Sequence, residues 1–205
     1  MTKDIKNLVE QIVAREISLI HEQVDGTMKF WHGGDLSSAN MDNSHEFSQK
    51  KGRYEFGPGL YLTSHYDTAK KYAKGSRKLY IVTVEPGNDL RQTFIDRSVI
   101  DDFINVFAKP KLKEELGDLL DQRMDKGSGK VRASVFGNII LNLDALPPSK
   151  TGALRQFYID NGIDYELVSS AFGWGEKMLV LYNMKKITNV KEVNSNDPEN
   201  NNDFH

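Results

Sequence analysis

Residues 78–86 read Lys-Leu-Tyr-Ile-Val-Thr-Val-Glu-Pro, a β-branched and aromatic run stopped by Pro-Gly, and predict the clearest strand in the chain. Residues 177–183 (Lys-Met-Leu-Val-Leu-Tyr-Asn) predict a second strong strand, and 28–32 a short buried one. Residues 164–170 return to strand after a helix over 151–161 that Gly162 closes, and 187–190 suggest a last short strand. Elsewhere the apolar positions take helical spacing. Ile5, Leu8, Val9, Ile12, Val13, Ile17 and Ile20 form one stripe over 3–23, with Thr2 as a cap and Asp25-Gly26 as a stop, which predicts a packing helix. Asp67 is placed to cap a helix over 67–74 with Ala69, Tyr72 and Ala73 facing inward.

The stretch 97–146 differs in texture. Val99, Ile100, Phe103, Ile104 and Phe107 predict one helix, and Leu112, Leu116, Leu119 and Leu120 another after Pro110. Gly127-Ser128-Gly129 breaks the pattern, and a third apolar segment runs over 131–146 to Pro147-Pro148. This reads as a helical insertion lying outside a sheet core. Residues 35–53 form a polar loop, long for a compact domain and therefore a place to expect function. From Asn194 the chain is rich in Asn, Asp and Glu without periodicity, which predicts a disordered tail. The expected organisation is an α+β fold: an N-terminal helix over 1–27, a main domain over 28–192 with its insertion at about 97–146, and a disordered tail over 193–205.

Composition narrows the function. A chain of 205 residues with 39% hydrophobic and 27% charged residues can bury a sizeable core. Its net charge of −2 argues against loose binding along nucleic-acid phosphates. It contains no cysteine, which excludes disulfides, thiolate nucleophiles and zinc–thiolate sites. The five histidines never pair at metal-ligand spacing, so no metal site is expected. No apolar run approaches the roughly 20 residues that span a bilayer, and the N-terminus is unlike a signal peptide. A soluble, cytoplasmic protein without membrane contact is the expectation.

Candidate chemistry lies beside glycines. Phe30-Trp31-His32-Gly33-Gly34 puts a histidine at a strand end, and Gly57-Pro58-Gly59 runs directly into Leu60-Tyr61-Leu62. Glu176 sits between Gly175 and the apolar run that begins at Met178, where a carboxylate without a role would be costly to bury. His45 in the long loop is a second-rank candidate. Arg53 and Arg77 suit a pyrophosphate but are expected on the solvated surface, and His65 and Tyr66 read as solvent-facing.

In that order His32, Tyr61 and Glu176 resemble the His-Tyr-Glu set of the ADP-ribosyltransferase superfamily, in its poly-ADP-ribose polymerase and diphtheria-toxin-like branch. The resemblance covers residues 28–86 and 151–190. It includes His-Gly at the end of the first core strand, a Gly-x-Gly-x-Tyr turn, and a second tyrosine, Tyr72, eleven residues after Tyr61. It implies a split β-sandwich with two packed, mostly antiparallel sheets forming a cleft that takes NAD as a substrate. Glu176 would stabilise the oxocarbenium-like cation formed as the nicotinamide–ribose bond breaks, and would polarise the incoming nucleophile. His32 would bond an adenosine ribose hydroxyl, the backbone of Gly33 would clamp the nicotinamide amide, and Tyr61 and Tyr72 would sandwich its ring.

Two positions depart from the family pattern. A serine that bonds nicotinamide in the polymerases is replaced by Ala69, and Trp174 stands where arginine-modifying toxins carry Glu or Gln. Arginine is therefore set aside as the target. The expected activity is transfer of ADP-ribose to a macromolecule, protein rather than nucleic acid given the charge, with Trp174 as an acceptor anchor. A toxin or effector role would suit such an enzyme. An NAD glycohydrolase and an inactive module that only binds ADP-ribose or a partner are the alternatives; the intact triad argues against the latter.

Overall fold

The computed structural model describes residues 26–36, 57–73, 78–169, 175–193 and 203–204. The helix expected over 3–23, most of the polar loop, His45, Arg53, Arg77, Trp174 and most of the tail lie outside the described residues.

The apolar runs form strands as their composition dictates. They are β1 (Met28–Gly33), β2 (Leu60–Thr63) and β3 (Leu79–Val84), with helix α1 (Tyr66–Tyr72) between the last two. A short strand β4 (Phe94–Asp96) leads directly into α2 (Arg97–Phe107), and α3 (Lys113–Asp121) follows. Strand β5 (Lys130–Arg132) leads into α4 (Ala133–Asn142), and α5 (Thr151–Asp160) completes the helices. The chain then returns to sheet as β6 (Tyr165–Ser169), β7 (Lys177–Leu181) and β8 (Ile187–Val193).

The result is an α+β fold around a six-stranded antiparallel sheet in the order β6-β7-β2-β1-β3-β8. Where two packed sheets are expected, the strands share one hydrogen-bonded sheet, but it is nearly divided. β1 pairs with β3 along all six of its residues, and β2 with β7 along all four, whereas β1 and β2 meet only at Trp31 and Thr63. Two three-stranded halves, β6-β7-β2 and β1-β3-β8, thus join at a seam one residue pair wide.

The insertion also differs from expectation. Its helices do not lie outside the core. Phe103, Phe136 and Ile140 share a buried cluster with Leu154 and Phe157 of α5 and with Val180 and Tyr182 from the sheet side. The aromatic rings of Phe103 and Phe157 approach to 4.6 Å between centroids. The stretch also contains sheet. β4 and β5 pair as a two-stranded ribbon that pins the starts of α2 and α4 together, with Arg97 of α2 ion-paired to Asp101 and, at 3.1 Å, to Asp121 of α3. The opposite face of the main sheet buries Phe30, Leu60, Leu62, Val82, Leu179 and Leu181 in a second cluster.

Helix α1 starts one residue earlier than predicted, at Tyr66, so that Asp67 lies in its first turn. Its buried face is Tyr66, Ala69 and Ala73, packed with Trp31 and Leu79, while Tyr72 is 67% exposed rather than inward. The tail is not wholly without structure: Asp203 and Phe204 are seated against Tyr66, Ser64 and Trp31. An aromatic residue with a flat partner to stack on explains why these two are placed where the surrounding composition suggested nothing. Among the described residues no helix is long and apolar enough to cross a membrane.

Candidate functional site

Strand alternation decides which side chains meet at the seam. Tyr61 and Thr63 project from one face of β2, and the register sets Val180 and Met178 of β7 beside them. Trp31 of β1 pairs with Thr63 and so lies in the same row. Two residues before Met178, on the same face, comes Glu176. Gly175 immediately before it has φ of +80°, a left-handed conformation that a residue with a side chain adopts only with strain.

Glu176 is 2% exposed, and its carboxylate is held by named partners. The Thr63 hydroxyl donates to Oε1 at 2.6 Å, and Nδ1 of His65 lies 3.8 Å from Oε2. The same hydroxyl accepts the His65 backbone N–H at 3.0 Å, so its proton is committed to the carboxylate. Next to this pair, Ser64 fastens β2 to β7. Its N–H donates to the Lys177 carbonyl at 2.8 Å, and its Oγ accepts the Lys177 N–H at 2.9 Å. The backbone on both sides of the Thr63–Glu176 contact is therefore tied.

His32 approaches from the other half of the sheet. Beyond the Trp31–Thr63 pair, its Nδ1 stands 3.0 Å from the Tyr61 carbonyl, a side-chain link from β1 to β2. A carbonyl only accepts, which assigns the ring proton to Nδ1 and leaves Nε2 as an acceptor. Burial pushes the His32 pKa below its ordinary value, opposed by the bond to Tyr61, so the neutral ring dominates at neutral pH. Alternation puts His32 on the face of Phe30 and Tyr80, opposite the Trp31–Thr63 row.

The predicted residues thus come together in two groups along β2. His32 bonds Tyr61 at one position, and Glu176 bonds Thr63 two residues on. Tyr61 is half-buried, with its hydroxyl donating to the Gly57 carbonyl at 2.8 Å. Gly33 has a packing reason for being glycine. A Cβ there would fall on the Ala69 carbonyl and within 2.9 Å of the Ala73 nitrogen, because the backbone of α1 lies directly against it. Tyr72 stands exposed on the last turn of α1, apart from the buried contacts of the site.

Three contributors escaped the sequence reading: Thr63, Ser64 and His65. His65, expected in solvent, is only 26% exposed at its side chain and faces Glu176. Thr63 carried a usable signal, since it lies two residues after Tyr61 and must share its face. For His65 the only signal is the β2–β7 register, which composition does not contain. Among the described residues no group of three or more His, Cys, Asp or Glu is placed to hold a metal ion.

Comparison with known proteins leaves the site to be read from its geometry: no family model matches the chain, and neither a curated protein nor a solved structure matches it.

Proposed function

We propose that the chain is an NAD-consuming ADP-ribosyltransferase, and that its nearly divided sheet is the split-sandwich cleft of that fold. The observation that carries the reading is Glu176, a buried carboxylate held by Thr63 and faced by His65 at the end of the seam. A buried carboxylate on an apolar face is expensive unless it is used or fully paired. One placed where a cation develops is worth most when the site is dry and its donors are already oriented.

In the proposed reaction the bond between C1′ of the ribose and the nicotinamide nitrogen breaks. Its electron pair neutralises the pyridinium nitrogen, and positive charge spreads over C1′ and the ring oxygen. Glu176 stabilises that charge. A nucleophile on the acceptor then bonds to C1′ and gives up its proton, with the Glu176–His65 pair as the nearest bases. The lone pair on Nε2 of His32 suits a ribose hydroxyl. The acceptor in this reading is a macromolecule, and the net charge of −2 favours protein over nucleic acid. Hydrolysis of NAD, with water as nucleophile, is the second reading, because Glu176 would serve either.

Glu176→Gln keeps the shape and removes the charge. Nicotinamide release should fall by about 10²–10³, while NAD affinity measured by calorimetry stays near that of wild type. Equal turnover by the two proteins would sink the assignment. Label from adenylate-labelled NAD, followed in a lysate, distinguishes transfer to protein from free ADP-ribose.

A further inference from the structure

Ser64 is 1% exposed and joins three distant parts of the chain. Besides its two bonds to Lys177, its carbonyl accepts the Phe204 N–H at 2.8 Å. On the far side of His65, the Tyr66 N–H donates to Oδ1 of Asp203 at 2.9 Å. Asp203 and Phe204 therefore grip the backbone immediately before and after the histidine that faces Glu176. His65 itself supplies no side-chain cap to α1, and Asp203 instead satisfies the N–H of its first residue, one of the donors that a helix start leaves without an intrahelical partner.

The grip is anchored by aromatic packing. The Phe204 ring stacks on Trp31 at 5.3 Å between centroids and 26° between planes, and Tyr66 meets the same indole edge-on at 5.2 Å. Trp31 is the β1 residue that pairs with Thr63, and among the described residues this is the one pair joining the two halves of the sheet. Among the described residues, three groups at Glu176 are thus touched from one dipeptide: Thr63 through Trp31, Lys177 through Ser64, and His65 through both of its neighbours.

We propose that Asp203 and Phe204 are positioning residues, a brace that holds the Thr63–Tyr66 turn so that the Thr63 hydroxyl and the His65 ring meet the Glu176 carboxylate. The consequence for catalysis rests on the transferase reading, whereas the bracing itself does not. A brace of this kind acts on geometry more than on binding, so it changes kcat before KM.

The test uses the full chain carrying Asp203→Ala with Phe204→Ala, and Phe204→Tyr alone as the conservative variant that retains a stacking ring. Hydrogen exchange at the amides of His65, Tyr66 and Lys177 should speed up by about tenfold in the double variant, the scale set by losing a cap. Exchange at Val82 and Leu179 in the strand centres should not change, and Phe204→Tyr should stay close to wild type. Nicotinamide release from NAD should lose about tenfold in kcat with KM preserved. Unchanged exchange at the three amides overturns the brace, and so does an equal rise across the whole sheet, which would mark a purely stabilising contact. Local loosening with kcat intact overturns the positioning role. If wild-type protein releases no nicotinamide, the transferase reading fails, and the exchange data still decide whether the brace exists.

Discussion

Thr63 carries two hydrogen bonds at once, and its replacement separates them from packing. Thr63→Val keeps the branched shape but leaves the Glu176 carboxylate one donor short in a buried position. Hydrogen bonds to charged groups contribute about 1.5–3 kcal/mol, so denaturant unfolding should show a loss of that order. Thr63→Ser, which retains the hydroxyl, should recover most of it. If Val and Ser variants unfold at the same midpoint as wild type, the Thr63–Glu176 bond does not hold the carboxylate. At this scale the sequence was informative where glycine flanked a polar residue: His32, Tyr61 and Glu176 could each be singled out without coordinates. Ser64 and His65 could not, because what distinguishes them is the residue opposite. That residue is fixed only when β2 and β7 find their register.

Elements with strong composition were legible, and those held by their neighbours were not. The β-branched run around Val82 became a strand with nearly the predicted bounds, and the helix expected over 151–161 formed over Thr151–Asp160. The three-residue strands β4 and β5 are too short to show alternation and exist because they pair with each other. Tyr72 was misplaced because aromatic residues on a short helix are usually packing, whereas α1 presents only Tyr66, Ala69 and Ala73 to the sheet. Ala69 and Ala73 let α1 approach β1 closely, and two glycine substitutions expose the difference between contact and propensity. Gly33→Ala drives a methyl into the α1 backbone, which has no flexible side chain to move aside. It should cost about 1–3 kcal/mol, the range for overpacking, and it should disturb Trp31 and Tyr66. Gly117 sits in α3, where an added Cβ would meet nothing nearer than the Arg97 guanidinium at 3.9 Å. Gly117→Ala should raise stability by roughly 0.5–1 kcal/mol from helix propensity alone. Opposite signs in thermal unfolding are the expected result; a neutral Gly33→Ala would mean that α1 is not seated as described.

At the scale of the whole molecule, an α+β fold follows from the alternation of strand-like and helix-like runs. The strand order does not, because β1 and β2 share a single residue pair while their other edges belong to β3 and β7. One consequence of that order is a second buried acid. Glu166 of β6 lies opposite Val180, in the row that continues to Tyr61, and is 6% exposed. Burial pushes its pKa up to about 7. Arg91, 3.6 Å away, opposes the rise, Asp89 adds to it, and the Tyr182 hydroxyl at 3.4 Å lowers it again. A carboxyl whose folded pKa is raised binds its proton more tightly in the native state than in the unfolded one. Its stabilising contribution is therefore complete below the ordinary carboxylate range and is lost as pH rises through about 7. His32 works in the opposite direction. Its depressed pKa leaves full stability above the ordinary histidine value, and stability falls as pH drops through the folded value. The two losses oppose each other, so the wild-type stability profile should be flatter near neutrality than either group alone would make it. Glu166→Gln removes one side of the balance. The variant should unfold at a higher denaturant midpoint than wild type at pH 8 relative to pH 5, a difference on the order of 3 kcal/mol if the whole shift is realised. Parallel pH profiles for the two proteins would show that Glu166 is ionised in the native state throughout this range, with Arg91 outweighing burial.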